Sequence, residues 1–466
     1  MLIVGTGIAG LLAARALLEQ RPRSSVLLVE QGLSLAGRRR QSASRLQGYG
    51  GAGLYLGGRL YLGPTTIPVL PPVTPPPSMT PQLSGEAYAT RAAEVNALFT
   101  ELGIEAPIRP APEGALAAEV ARAAEVGLEY LTSFPSRQPT LDERFSVLAG
   151  LETTLRDRGA RFAFTTSATR IQYANSGFHV ELEPSGSSSD EAVSDTRAAM
   201  VSARALVLAP GRYGAEWLVR TARALGAEVV SLPRAFGVRI EVNAAVYDPL
   251  TSVFPDPRLQ RHLDGDAVIK TYATCPGGVV LPVERYGRIV ASGVPRFGVQ
   301  RGPNTTLAIL LQPGVVGAAG TWRGGEEVAA TLNEHMGNAL LVQRLGDLRA
   351  HRATSAAGLA ANRIAPSCES SLPGDFRNIF PGAYWEAFDD FLSRLNRLAP
   401  DVESADTLVY APAEERFWHF PTDARVQTRV PGLFVAGDAT GQSQGVIQAG
   451  VAGTLAGEGV AAYLGG

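Results

Sequence analysis

Cysteine is nearly absent. The 466 residues hold two, Cys275 and Cys368, too few for a disulfide framework or a cysteine-built zinc cluster, so no metal site is expected. No C-x-x-C occurs, which excludes a thioredoxin-type or disulfide-reductase redox pair. Such sparing cysteine use suits the reducing cytoplasm, the expected compartment. Excess charge is lacking too. A net charge of -2 and a pI of about 6.3 argue against a nucleic-acid binder, which carries a basic surplus. The expected partner is a small molecule, and composition leaves the oligomeric state open. Long apolar runs are scarce. Residues 1–18, MLIVGTGIAGLLAARALL, have no basic start and carry three spaced glycines, so they read as neither signal nor membrane segment. No other run reaches the roughly 18 to 20 residues a bilayer requires. What remains, 45% apolar and 18% charged residues, is an ordinary globular composition long enough for two or three domains.

The N-terminus then supplies a pattern. Leu2 to Val4 reads as a buried strand, Ile8 to Gln20 as a helix and Ser25 to Glu30 as a second strand, a βαβ unit with a parallel sheet. The turn between them is Gly5-x-Gly7-x-x-Gly10. Gly5 permits the tight turn, Gly7 lets a pyrophosphate approach the backbone, and Gly10 lets helix and strand pack closely. Ile8 and Ala9 open the helix, whose free N–H groups and positive dipole end attract phosphate. Glu30 lies 20 residues beyond Gly10, where a carboxylate accepts hydrogen bonds from a ribose, with Gln31 beside it.

The far end selects the dinucleotide. PGLFVAGDATGQSQGVIQAG, residues 431–450, reads as a strand running into Gly437-Asp438, then a loop and a helix. A strand-end carboxylate suits the ribityl hydroxyls of FAD. The amides of Gly445, Val446 and Ile447 begin a helix whose positive end suits the flavin edge where negative charge develops on reduction. No second G-x-G-x-x-G with its own acidic partner occurs, so no dedicated NAD(P)H domain is expected. NAD(P)H remains possible as a transient reductant.

These pieces, with GYGGAGLYLGGRL (48–60), ALVLAPGRYG (205–214), GVRIEV (237–242) and NTTLAILL (304–311), give a chain that resembles the two-dinucleotide-binding-domain flavoproteins. Within them it looks most like the bacterial FAD-dependent dehydrogenases labelled NAD(FAD)-utilizing dehydrogenases. The resemblance implies an α/β fold: a Rossmann-like, glutathione-reductase-like FAD-binding domain with an inserted α+β substrate domain. The FAD domain is expected to be discontinuous over 1–63, 138–232 and 404–466. A proline-rich loop and helical segment is expected over 64–137, and a substrate or cap domain over 233–403. The resemblance also explains six glycines in thirteen positions at 48–60: Gly50, Gly51, Ala52 and Gly53 would bring nearly bare backbone against the cofactor. Arg38 and Arg39 would meet its phosphate or adenine side. Ala168, and Ala209, Pro210 and Gly211 at a strand end, would pass close to it. Relatives often carry Ser-Asp where this chain has Leu56-Gly57, and chemistry resting on those groups does not carry over.

Catalytic candidates come from AEERFWHFPTDAR, residues 413–425. His419 titrates near neutral pH and suits an acid or base, Arg416 suits a carboxylate, and Trp418 suits a pocket wall. Tyr272 and Tyr410 are further candidates. The expected function is that of an FAD-dependent oxidoreductase, with non-covalent FAD, which dehydrogenates or reduces a C–C or C–N bond in a small hydrophobic or conjugated molecule. A redox-neutral isomerase or cyclase, or a monooxygenase, is the alternative.

Overall fold

The computed structural model describes residues 1–40, 47–57, 59–63, 85–109, 113–131, 135–185, 198–232, 234–254, 256–285, 288–294, 301–313, 331, 334, 339–441 and 443–466. The proline-rich loop expected over 64–81 lies outside them.

Five short strands form a parallel sheet in the order Leu433–Val435, Leu206–Leu208, Leu2–Val4, Leu27–Val29, Arg161–Ala163. Their residues are apolar in a row because both faces are covered. Helices Ile8–Gln20, Gly85–Glu101, Leu141–Asp157 and Val446–Tyr463 close one face. The antiparallel strands Thr166–Ala174, Gly177–Pro184 and Ala199–Ala203, with helix Ala215–Ala224, close the other. The apolar runs Phe162 to Ile171 and Ala198 to Ala209, each of which reads in the sequence as one strand, prove to be pairs of strands. The run from Phe162 to Ile171 breaks at Thr165, which has φ 49°, and the run from Ala198 to Ala209 breaks after Ala203. In both, the chain passes between the parallel and antiparallel sheets, and an apolar run carries no mark of that change of partner.

The second unit is an eight-stranded sheet. Its order is Leu372–Pro373, Leu341–Arg344, Leu408–Glu415, Ala235–Asn243, Asn304–Gln312, Val268–Cys275, Arg258–His262, Glu129–Leu131. Helix Gly382–Leu398 lays Phe388, Phe391, Leu392 and Leu395 on one face. The hairpin Val279–Arg285 and Arg288–Val294 covers part of the other. The expected boundaries shift accordingly. Strand Leu408–Glu415 lies inside this sheet, so the chain returns to the first unit after Glu415 rather than at 404. The segment 64–137 is shared: helix Gly85–Glu101 packs in the first core through Val95 and Phe99, and Glu129–Leu131 is an edge strand of the second sheet. Residues 326–345 read as helical from the sequence; most of them lie outside the described residues, and their end, Leu341–Arg344, is a strand. Among the described residues no helix is long and apolar enough to cross a membrane.

One contact sets the geometry of the first unit. Helices Ile8–Gln20 and Val446–Tyr463 run side by side and parallel. A Cβ on Gly453 would stand 2.2 Å from the Ala9 carbonyl oxygen, and one on Gly457 would stand 2.3 Å from the Ala13 carbonyl oxygen. Backbone cannot yield as a flexible side chain does. Gly453→Ala is therefore expected to cost about 1–3 kcal/mol of stability, read as a lowered Tm or denaturation midpoint. Gly466→Ala, with nothing within 4 Å of its Cβ, is expected to change nothing.

Candidate functional site

The carboxyl ends of the parallel strands open on a cavity of about 490 Å³, the place where open α/β sheets hold ligands. The turn after the first strand contributes Gly5, Gly7, Ile8 and Ala9. Glu30 and Gln31 follow the second strand, Ala209, Pro210 and Gly211 the strand Leu206–Leu208, and Gly437 and Asp438 the last. The glycine loop adds Gly50, Gly51, Ala52 and Gly53, and the C-terminal helix adds Gly445 and Val446. The bare backbone is a steric requirement at two places. Gly5 has φ 100°, and its Cβ would stand 2.2 Å from the Ala209 carbonyl oxygen. Gly50 has φ 85°, donates its N–H to the Thr6 carbonyl at 2.9 Å and bridges to Gly7, so the loop lies against the first turn. Gly7 differs: its φ is −67°, and the nearest atom to a Cβ there is the Gly51 Cα at 3.9 Å. Its missing side chain leaves open space facing the cavity.

Both helices that begin at the cavity are uncapped. Neither Gly7 nor Gly445 supplies a side-chain cap, and neither helix carries an acid in its first turn. Helix Leu141–Asp157, away from the cavity, has a full capping box of Thr140 and Glu143. Two free helix N-termini, 13 and 18 residues long, thus turn unsatisfied N–H groups and positive dipole ends toward one space.

Several expected ligand contacts are occupied by the protein itself. The Glu30 carboxylate accepts from the Thr6 N–H (3.1 Å), the Thr6 hydroxyl (2.8 Å), the Gly32 N–H (2.9 Å) and the Gly48 N–H (3.2 Å). A carboxylate has about four acceptor positions, so Glu30 first holds together the turn and the loop that line the cavity. Arg38, expected at the cofactor, is buried and does not line the cavity. Its Nη1 donates to the carbonyls of Gly48 (3.2 Å), Tyr49 (2.6 Å) and Gly51 (3.0 Å), and its guanidinium lies 3.6 Å from the Tyr55 ring centroid. Burial lowers its pKa to about 10, which leaves it charged at neutral pH. Arg39 lies 5.0 Å from the Phe145 ring. Ala168 is buried in the antiparallel layer and Ile447 in the helical core, so neither lines the cavity. Gly10 acts in packing: a Cβ would stand 2.0 Å from the Gly5 carbonyl oxygen.

At the opposite end Asp438 accepts from Arg212 Nε and Nη2, both at 3.0 Å. Arg212 Nη1 also donates to Glu415 and lies 3.5 Å from the Tyr272 hydroxyl. Burial disfavours the Arg212 charge, but Asp438, Tyr272 and Glu415 outweigh it and hold the pKa well above the usual arginine value. Arg212 thereby ties the turn of the first unit to a strand of the second across the cavity wall.

The catalytic candidates stand off this cavity, apart from Tyr272, which meets it through Arg212. Half-buried His419 sits in a two-stranded ladder opposite Val230, and burial lowers its pKa. Arg416 pairs with Glu414 at 3.2 Å and Glu216 at 3.4 Å. Trp418 is in the core, and its carbonyl oxygen would stand 2.4 Å from a Cβ on Gly441, so this segment braces the turn carrying Asp438. Tyr410 donates to Glu241 Oε2 at 2.6 Å in a buried network. The aromatic residues of 413–425 divide between two clusters, Trp418 and Phe420 packing beside the antiparallel layer of the first unit and Phe417 on the second sheet with Ala235 and Tyr272. Arg212 stands in ALVLAPGRYG directly after Gly211, and Glu415 in AEERFWHFPTDAR directly before Arg416. Arg59 and Tyr61, which also line the cavity, follow the glycine run directly. Ser292, Gly293 and Val294 line it from the hairpin, and no local pattern signals them.

Comparison with known proteins agrees with the first strands and the glycine turn. Residues 3–67 match a model of the NAD(P)-binding Rossmann-like domain. No curated protein matches the sequence. Among solved structures, glycine oxidase from Geobacillus kaustophilus is similar at 14% identity and TM-score 0.40, over 98% of this chain and 93% of that one. The 3-ketosteroid-delta4-(5alpha)-dehydrogenase from Rhodococcus jostii RHA1 is similar at 13% identity and TM-score 0.42, over 99% and 96%. A flavoprotein/dehydrogenase from Cytophaga hutchinsonii is similar at 12% identity and TM-score 0.37, over 100% and 78%. At such identities reaction and substrate have to be argued from the residues of this chain.

The network around Glu30 gives a test that needs no ligand. Glu30→Ala leaves three backbone N–H groups without that acceptor. Hydrogen bonds to a charged group contribute about 1.5–3 kcal/mol each, so ligand-free protein is expected to lose at least that much stability in denaturant titration. A carboxylate reserved for a ribose would leave the ligand-free midpoint unmoved.

Proposed function

We propose that the cavity binds FAD non-covalently and that the protein is an FAD-dependent oxidoreductase acting on a small organic molecule. The observation that carries this reading is the pair of uncapped helix N-termini opening on one glycine-lined cavity, with Glu30 at one edge and Asp438 at the other. A dinucleotide with a single helix at its pyrophosphate leaves the second N-terminus unexplained. FAD uses both, because reduced flavin carries negative charge at the edge remote from its phosphates. The cavity volume lies within the range of cofactor sites.

On this reading the amides of Ile8 and Ala9 receive the pyrophosphate, and the Glu30 edge receives the ribose by sharing its network. Asp438, aimed by the two bonds from Arg212, offers its remaining lone pairs to ribityl hydroxyls. The Gly445–Val446 amides face the flavin pyrimidine side. Bound FAD would supply the electron chemistry, taking up and returning a hydride or two electrons. The protein's part is placement, exclusion of water and proton handling. Dehydrogenation or reduction of a C–C or C–N bond fits this arrangement, with NAD(P)H able to serve as a transient reductant over the flavin. Neither cysteine takes part: both are buried, and burial raises Cys275 to about 11 despite Arg239 nearby.

Protein purified from cells is expected to be yellow and to release free FAD on heating or in acid. Gly7→Val separates ligand from fold. Its φ is ordinary and its Cβ has room, so the ligand-free midpoint is expected to stay near that of the native protein. The valine fills the cradle, and FAD affinity is expected to fall by tenfold or more, about 1.4 kcal/mol per tenfold. Native FAD titration in a folded Gly7→Val protein overturns the assignment.

A further inference from the structure

One face of the eight-stranded sheet carries Tyr272 and Glu415, which meet Arg212 in the cavity wall. It is apolar at Ala235, Ala308, Leu310, Ala413 and Phe417, and then polar. Tyr272 lies opposite Ala308, Lys270 opposite Leu310, and Val268 opposite Gln312. Directly opposed residues share a face, so Lys270 and Gln312 project on the same side as Tyr272, with Lys270 and Tyr272 roughly 7 Å apart along the strand. Both Lys270 and Gln312 are buried, at 5% and 1% exposure. Lys270 Nζ donates to Gln312 Oε1 at 2.5 Å. The Gln312 amide nitrogen is buried and has no acceptor, a costly state for a donor.

Tyr272 links this polar pair to the cavity, whose lining does not itself include Lys270 or Gln312. Arg212, in its wall, reaches the Tyr272 hydroxyl. Arg258 lies 4.5 Å from the Tyr272 ring centroid, and its charge acts on both Tyr272 and the cavity-lining Tyr61. A buried amine beside an unanswered amide donor, at the end of an apolar strip, fits an oxygen acid. We propose that Lys270 and Gln312 form the polar end of the substrate site and bind a carboxylate, so that the substrate is a small organic acid whose apolar body lies along Ala308 and Leu310 toward the cavity. This rests on the reading of that cavity as the FAD site.

Arg258 and Glu415, both on other strands, act on Lys270, and Tyr272 stands two residues along its own strand. Burial first, and Arg258 second, lower its pKa to about 7, against the pull of Glu415. At pH 8 the amine is therefore mostly neutral. A carboxylate beside it favours the ammonium form, so binding takes up a proton.

Isothermal titration of the FAD-loaded protein with benzoate at pH 8, in buffers of different ionisation enthalpy, measures both affinity and protons. The expected result is binding with uptake approaching one proton. Lys270→Met is expected to abolish the uptake and weaken binding about tenfold or more, and Gln312→Leu to weaken it about tenfold with uptake retained. The native protein's proton uptake stands as a test even where a variant fails to fold. Benzoate that does not bind, binds without proton uptake, or binds both folded variants as it binds the native protein overturns the proposal. Flavin absorbance read before each titration keeps the two readings apart. Protein without FAD counts against the cofactor assignment, and FAD-loaded protein indifferent to benzoate counts against this site.

Discussion

The parallel contact between helices Ile8–Gln20 and Val446–Tyr463 is the constraint on which the site depends. Parallel helices set side by side put like dipole ends together, an arrangement that is unfavourable until an anion or an electron-rich group meets those ends. The contact also demands glycine. Interior glycine costs a helix about 1 kcal/mol relative to alanine, yet the C-terminal helix carries Gly450, Gly453, Gly457 and Gly459. Each has a neighbour that a Cβ would strike: Val95 and Leu12, the Ala9 carbonyl, the Ala13 carbonyl, and Phe434 with Arg425. Propensity is given up so that two N-termini can share one cavity. The absence of capping side chains at Gly7 and Gly445 completes the arrangement, since a cap would satisfy from within the donors that a ligand is to satisfy.

Two arginines, Arg38 buried and Arg212 partly buried, hold what the helices surround. Arg38 gathers the carbonyls of Gly48, Tyr49 and Gly51. A loop so rich in glycine has many conformations open to it, and a rigid cation that takes three of its carbonyls removes most of them. With those carbonyls drawn toward Arg38, the loop has fewer negative dipoles to set against an anionic ligand. Arg212 does comparable work between units, joining the turn at Asp438 to Glu415 of the second sheet. Neither arginine needs to touch a ligand to decide whether one binds, because each fixes backbone or carboxylates that line the cavity.

The glycine turn, its helix and the acidic strand end were legible because their chemistry is local: strand, turn and helix follow within thirty residues. The C-terminal strand and helix were legible for the same reason. Glu30 shows where that legibility stops. Its position is set locally, but its partners Thr6 and Gly48 come from two other loops, and only the folded chain shows its acceptor positions filled. His419 and Arg416 illustrate a second limit. A segment dense in aromatic and charged residues looks like a pocket, and here the same composition builds a brace against Gly441 and ion pairs with Glu414 and Glu216. The split strands at Thr165 and after Ala203 are a third case, since hydrophobic pattern identifies a strand and says nothing of which sheet it joins. Residues 292–294 reach the cavity by tertiary contact alone.

The second sheet offers its own comparison between polarity that serves folding and polarity left open. Glu241 is fully buried, and its carboxylate accepts from Asn304 at 2.9 Å, Tyr410 at 2.6 Å and the Ser367 N–H at 3.2 Å. Beside it Arg239, also buried, donates to the Thr306 hydroxyl at 2.9 Å and the Ala273 carbonyl at 2.6 Å. These groups sit beneath the hairpin, and their donors and acceptors answer one another; such a network specifies packing. Lys270 and Gln312 lie on the same face, three and two strands away from Glu415, and their pairing leaves an amide donor over. The two clusters have similar burial and opposite bookkeeping. A fold that satisfies Glu241 with three partners has the means to satisfy Gln312, and a buried donor left unanswered beside the apolar strip that leads to Tyr272 is the kind of cost that function, rather than folding, explains.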